Sequence, residues 1–432
     1  MTTTTTGEGP LRRGGVRPGE RAPAPDLARG IMLLAIVMSN TAFHLWAARR
    51  GPSGWQPVDG SWPDRTVQFT MIIVLDMRIY PLFAFLFGYG MMQLYLRQTA
   101  AGTAGRDVVR LLRRRSLWLI VIGLAHATLL MSGDILGFYG VMSLLLGFAF
   151  LRRGERALKW WTGAGVALLL LTTAGPIVSA ALEGRLGTMG DAGAEPGFLA
   201  YGAQHESWLE AAEVRLETGL FVTFVASAVS LAGGAFLVFL LGFLAARHRV
   251  LEEPGRHLRL LRRTAVLGIA AGWLGALPAA LAHVGVLDVP PDAESESGAL
   301  VMLRDLTGSA GGLGYVAAVA LVAHRWTTRG HRRGGTATAV AAVSAVGKRS
   351  LSCYLAHSLI FAPVLAAWGL GLGGHLGSAT AALFATTVWL VTVAGALALE
   401  RAGRRGPAEA VLRRLTYGRR EPGTNRVERE SG

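Results

Sequence analysis

Four residues near the start of the chain are of types that could do chemistry together: Asp26, Arg29, Asn40 and His44, in the stretch PDLARGIMLLAIVMSNTAFHLW. A carboxylate and a guanidinium stand just before a long apolar run. An amide and an imidazole stand near its far end. On a helix turning about 100° per residue, Arg29 and Asn40 fall on nearly one face, about 16 Å apart along the axis. His44 lies one further turn on, displaced by about 40°. A guanidinium can meet an anionic group, an amide can orient a carbonyl, and an imidazole that titrates near neutrality can serve as a base. Lipid cannot satisfy such a stripe, so in a membrane it must face protein or a cavity. The competing reading is packing, with Asp26 and Arg29 as an i, i+3 pair at the helix start and Asn40 as interhelical glue.

Three later stretches carry similar groups. In RIYPLFAFLFGYG, Arg78 stands beside Asp76 at the edge of an apolar helix. Phe83 and Phe87 form a ridge there, and Gly88 and Gly90 permit close packing. In RRRSLWLIVIGLAHATLLMSGDILGFYG lie Arg114, Arg115, His126, Asp134 and Tyr139. Arg115 and His126 repeat the spacing of Arg29 and Asn40. A histidine at bilayer depth beside an acid is a candidate general base. Two helical turns, about 12 Å, separate His126 from Asp134 on a continuous helix. The two meet only if the chain turns back after Ser132. In VGKRSLSCYLAHSLI, the residues Ser350, Tyr354 and His357 share a face at i, i+4, i+7. Lys348 and Arg349 precede them, placed to meet a phosphate or to snorkel to lipid headgroups.

The elements that must position these groups are membrane helices. Hydrophobic residues make up 51% of the 432 and charged ones 16%. Apolar stretches at 27–48, 79–96, 116–132, 135–151, 160–182, 219–246, 264–286, 307–324, 350–370 and 377–399 are each near the roughly 20 residues that cross a bilayer. They predict an all-α fold, a polytopic transmembrane bundle of about ten spans over residues 26–400. An N-terminal tail, 1–25, is too polar and too rich in Thr, Gly and Pro to build a core, and is expected to be disordered. A basic C-terminal tail covers 401–432. A short interfacial helix is expected at 66–78, and a surface helix at Glu206–Thr218. The run after residue 25 is too long for a cleaved signal and lacks a cleavage site, so it stays as the first helix.

The net charge of +15 invites a nucleic-acid reading, but its placement argues otherwise. With the N-terminus in the cytoplasm, 36 of the 43 basic residues fall in cytoplasmic segments. That asymmetry obeys the positive-inside rule, favours both termini inside, and accounts for the high pI without a nucleic-acid partner. The single cysteine, Cys353, lies in an apolar run and has no partner for a disulfide or a metal site. No Walker A loop, GxGxxG after a strand, HExxH or GxSxG is present, which disfavours an ATP-driven pump, a zinc protease and a classical serine hydrolase.

At these stretches the chain resembles the YeiB family, bacterial multi-pass membrane proteins grouped under a domain of unknown function. DLARGIMLLAIVMSN, LFAFLFGYG, RRRSLWLIVIGLAHATLLMSGDILGFYGVM, GKRSLSCYLAHSLI and RRGPAEAVLRRLTYG carry the resemblance, from about residue 21 to 420. Ala410 stands where the family usually has Trp. The resemblance implies kinship with the transmembrane acyltransferases. In their large acyltransferase group the first-helix Arg is followed by a His where this chain has Asn40. The lysosomal sugar N-acetyltransferase branch is more similar, with the same Arg-to-Asn interval and a catalytic His further out, for which His44 is the nearest match.

The expectation that follows is an acyl-group transferase of the bacterial plasma membrane. It binds no resident cofactor and takes a cytoplasmic acyl-CoA as donor. The donor's phosphates would meet Arg29, Arg114, Arg115 and Lys348. His44 or His126 would be the base for a small-molecule or glycan acceptor, with Asn40 and Asp134 in support. Asp26, Arg78, Tyr139, Ser350, Tyr354 and His357 complete the candidate substrate contacts. Two alternatives use the same residues: a proton-coupled transporter or exporter with His and Asp as a relay, and an accessory membrane protein whose polar groups only bind helices together.

Overall fold

The computed structural model describes residues 23–193, 197–328 and 335–418. Most of the expected N-terminal tail and the end of the C-terminal tail lie outside the described residues. The first helix, α1 (Pro23–Ser39), begins slightly before the expected edge at residue 26. Proline costs little in a first turn, where its missing N–H has no helical partner to lose. The chain turns at Asn40 into a one-turn helix, α2 (Thr41–His44).

The helix α3 (Trp62–Val74) is started by a capping box of Ser61 and Asp64 and lies where an interfacial helix was expected. It is followed by α4 (Ile79–Ala100), α5 (Gly105–Leu129) and α6 (Ile135–Phe150). Next, α7 (Glu155–Leu169) and α8 (Gly175–Leu182) form one rod joined through a π turn. So do α9 (Trp208–Leu220) and α10 (Ser227–Ala232), and the predicted surface helix at 206–218 is the first part of this rod. The remaining helices are α11 (Phe236–Arg247), α12 (Leu258–His283), α13 (Pro291–Glu294), α14 (Ala299–Thr328), α15 (Gly335–Lys348), α16 (Ser350–Leu365), α17 (Ser378–Arg401) and α18 (Pro407–Tyr417). No strand forms among the described residues.

Seven helical stretches among the described residues are long and apolar enough to cross a membrane, and four shorter apolar helices accompany them. The seven coincide with expected spans. The three others correspond to α5, whose first half is basic, and to the shorter α6 and α16. The sixth expected span, 219–246, is broken at Gly233 and Gly234 between α10 and α11, where Gly234 takes a φ of 89°. Leu171, Leu182, Val266, Leu267 and Leu383 stand exposed on the outside of the bundle. Apolar side chains turned outward over so many helices fit an integral membrane protein.

The interior is built by close backbone approaches. Gly88 of α4 faces the backbone of Phe239, and Gly242 of α11 faces that of Phe85. Phe85, Tyr89, Phe239 and Phe243 are buried between these helices. One helix was not anticipated. The stretch 325–349 reads as a cytoplasmic connection, yet α15 runs antiparallel along α1, with Val343 against Gly30 and Gly347 against Asp26. Its Ala345 and Val346 are fully buried.

Candidate active site

The hairpin of α5 and α6 brings His126 and Asp134 together. After α5 the chain reverses through Leu130–Gly133, and Asp134 becomes the N-cap of α6. Its Oδ2 accepts from Gly137 N at 2.7 Å, which fixes the carboxylate over the helix start. Its Oδ1 is then 2.8 Å from His126 Nδ1. The two helices can approach this closely because Gly123 has no side chain: a Cβ there would lie 2.2 Å from Gly137 N and 2.4 Å from Asp134 Oδ2. Ser116 and Ser143 tie the same helices further along, Oγ to Oγ at 2.7 Å.

A third member comes from α16. The Tyr354 hydroxyl donates to Asp134 Oδ1 at 3.2 Å, and Ile135 N donates to the Tyr354 oxygen at 3.4 Å. The Tyr354 and His126 ring centres are 5.0 Å apart. His126, Asp134 and Tyr354 are all buried. When the carboxylate is ionised and the imidazole neutral, the carboxylate accepts from Nδ1–H and the lone pair falls on Nε2. That Nε2 is buried and has no hydrogen-bond partner among the described residues.

Tyr354 also lines a cavity of about 20 Å³, bounded by Ser39, Asn40, Tyr80, Phe83, Ile135 and Tyr139 among others. This is room for about one water molecule. Asn40 therefore meets the His126 cluster across the cavity, through Tyr354. The Tyr139 hydroxyl donates to Tyr80 O at 2.8 Å. From here an aromatic ladder runs toward the basic ends of α1 and α5. Phe83 and Phe87 lie 4.4 and 5.8 Å from the Tyr139 ring, centre to centre, and the Arg115 guanidinium lies 5.6 Å from the centre of Phe87. Tyr417 and Arg29 act electrostatically on Arg115, and Arg29 pairs with Asp26 at 3.3 Å. Among the residues that reading the sequence singled out, Arg29 and Arg115 thus share one end of this ladder, and Asn40, Tyr139, Tyr354, Asp134 and His126 gather at the other.

The remaining candidates lie apart. Asn40 lines the cavity with Tyr354, but His44, one turn on, does not. His44 is buried with its ring 5.6 Å from Phe361, and neither ring nitrogen has a partner among the described residues. His357 Nε2 is 3.0 Å from Thr392 Oγ1 of α17. Lys348 and Arg349 both pair with Glu400, at 2.6 and 2.7 Å, so one carboxylate is shared between two cations. Ser350 opens α16, and Arg114 is exposed. Arg78 is fully buried and donates to the carbonyls of Ile72, Asp76 and Gly272, gluing α3, α4 and α12. Burial pushes the neighbouring Asp76 carboxyl above its usual range, and Arg304 and Gln56 offset that only in part.

Three residues escaped sequence reasoning. Arg215 of α9 is buried beside the α5–α6 hairpin, with Nε donating to Thr128 O at 3.0 Å. Glu400 is the shared partner just described. Glu409 of α18 accepts from Leu351 N and Ser352 N at 2.8 and 3.2 Å and from Ser352 Oγ, capping α16 from another helix. Arg215 lies in a stretch that reads as a surface helix, Glu400 at the edge of the last span and Glu409 in the C-terminal tail, and none of those patterns marks the partner it finds. Among the described residues no group of three or more His, Cys, Asp and Glu could hold a metal ion.

Residues 245–419 match a family model described as a protein of unknown function, DUF418. The chain is also similar to the uncharacterized protein YxaH of Bacillus subtilis (strain 168), 26% identical over 416 residues, which cover 92% of this chain and 94% of the relative. No solved structure shows a significant match. These matches support a family of unknown function, with the family model over residues 245–419 and the similarity to the Bacillus protein over most of the chain.

Proposed function

We propose that the protein is an acyl-group transferase of the bacterial plasma membrane, with both termini in the cytoplasm and His126 as its general base. The observation that carries this reading is the buried His126–Asp134 pair with Nε2 left free. Asp134 holds the ring in one tautomer and stabilises the imidazolium that forms when Nε2 takes a proton from an acceptor hydroxyl or amine. The acceptor oxygen or nitrogen then forms a bond to the acyl carbon of a thioester donor. The carbon–sulfur bond breaks, and the departing thiolate takes up the proton. Arg29 and Arg115, at the end where the charge asymmetry puts the cytoplasm, suit the phosphates of an acyl-CoA. The aromatic ladder from Arg115 to Tyr139 links that basic end to the residues around Asn40 and Tyr354. The resemblance to the YeiB family and the transmembrane acyltransferases points the same way.

A second reading is a proton-coupled transporter, with Tyr354, Asp134 and His126 as the relay. The small volume of the cavity favours it, since about 20 Å³ admits water and not an acyl group. One comparison separates the two. Purified wild type, His126→Ala and Arg115→Ala are given labelled acetyl-CoA with candidate acceptors, and the same proteins in vesicles are tested for solute flux under a proton gradient. Transfer that His126→Ala abolishes while CoA binding persists, and CoA binding that Arg115→Ala weakens, is the expected result. Absence of both CoA binding and transfer, with gradient-driven flux that needs His126, overturns the transferase reading in favour of transport.

A further inference from the structure

Arg215 is the buried cation whose surroundings leave most unanswered. It is 1% exposed, on the inward face of α9, while Glu210, Glu213 and Glu217 of the same helix are exposed. No carboxylate pairs with it among the described residues. Its Nε is spent on Thr128 O of α5, its guanidinium carbon lies 5.9 Å from the centre of the Trp368 ring, and its buried Nη2 has no acceptor. Burying a guanidinium costs several kcal/mol unless its charge and its donors are met, so buried arginines are almost always paired.

The unmet groups around it are not confined to one helix. His44, at the end of α2, is buried, neither ring nitrogen has a partner among the described residues, and Arg215 acts on it electrostatically. Trp368, in the connection from α16 to α17, has a buried Nε1–H with no acceptor. Two elements far apart in sequence therefore bring unanswered donors together, Nη2 of Arg215 on α9 and Nε1 of Trp368 before α17, with the buried His44 within electrostatic reach. A neutral core would have no use for this arrangement, and a metal cation would be repelled by it. An oxyanion answers it, because it brings several acceptor atoms and one negative charge to a planar fork of donors.

We propose that Arg215, with Trp368 and His44, forms a binding site for an oxyanion, a phosphate or carboxylate group carried by a soluble solute or by a lipid headgroup. The site is separate from the cavity at Tyr354, and the proposal stands whether or not His126 catalyses acyl transfer. Arg215 bonds the carbonyl of Thr128, two residues beyond His126, so the site borders the α5–α6 hairpin.

The test is anion-dependent stabilisation of the purified full-length protein. Thermal unfolding is followed in neutral detergent with inorganic phosphate against chloride at matched ionic strength, and in phosphatidylcholine nanodiscs with and without phosphatidylglycerol. Wild type, Arg215→Gln, Arg215→Lys and Trp368→Phe are compared. The expected result is an upward shift of the wild-type melting temperature that Arg215→Gln abolishes. Arg215→Lys and Trp368→Phe shift the half-maximal concentration by about tenfold. A response to phosphate identifies a soluble anion, and a response confined to phosphatidylglycerol identifies a headgroup. No response to either probe, or a response equal in wild type and Arg215→Gln, overturns the proposal. If Arg215→Gln does not fold, an unchanged half-maximal concentration in Arg215→Lys overturns it instead.

Discussion

Asp134 holds His126 by its Nδ1 at 2.8 Å while accepting from Gly137 N at 2.7 Å, so one carboxylate both orients the imidazole and starts the next helix. These two duties can be separated by mutation. In Asp134→Asn the amide oxygen still accepts from Gly137 N, but the charge that stabilises an imidazolium is gone. Transfer from acetyl-CoA should fall about 100-fold or more, with a small change in the unfolding midpoint. Asp134→Ala should lose the cap as well, about 1 kcal/mol in addition. Parallel rate and unfolding measurements on the two variants check this, and equal rates for wild type and Asp134→Asn would exclude His126 as the base.

Gly123 is the position at which α6 comes back against α5. An alanine there meets Gly137 N and Asp134 Oδ2 at distances no real Cβ adopts, so the hairpin must open. Gly123→Ala should cost about 1–3 kcal/mol of stability and most of the activity. The loss of activity should exceed that of Gly163→Ala, a position with open space around it. Unfolding midpoints and transfer rates of the two variants test the ranking.

Glu409 caps a helix to which it does not belong. In Glu409→Ala the N–H groups of Leu351 and Ser352 lose their acceptor, and α18 loses its anchor to α16. A stability loss of about 1–2 kcal/mol is expected. The connection 402–405, exposed in the native protein, should become more sensitive to trypsin as α18 detaches. Digestion rates at that connection in wild type and variant decide it. Glu409→Gln, which can still accept, should lie between them.

Asp64 ties the starts of two helices, accepting from Ser61 N and Oγ at 2.8 and 2.6 Å and from Ala379 N at 2.8 Å. Partial burial pushes its pKa up, but the bonds from Ala379 and Ser61 together bring it below the usual carboxylate value of 3.8. A carboxyl with a depressed folded pKa stabilises the fold above its unfolded pKa and loses that contribution as pH falls through the folded one. The unfolding midpoint in detergent should therefore drop as the pH is lowered from about 5 to 3, and Asp64→Asn should flatten that slope. A slope unchanged in the variant would place the acid-sensitive group elsewhere.

The sequence by itself determined that this chain is a helical membrane protein, because apolar runs near bilayer length and the sorting of arginines are one-dimensional quantities. It also determined where the chemistry-bearing residues stand, since costly polar groups in apolar runs are visible without a fold. The pairing of His126 with Asp134 was legible as a condition, that the chain reverse after Ser132. Only the tertiary structure decided that it does, that Tyr354 joins from α16, and that Asn40 faces the cavity while His44 turns to Phe361 and Arg215. The cap of α16 by Glu409 and the antiparallel run of α15 along α1 were hidden for one reason. Each depends on a partner supplied from elsewhere in the chain, and neither helical periodicity nor hydropathy records which distant backbone will arrive to bond a given group.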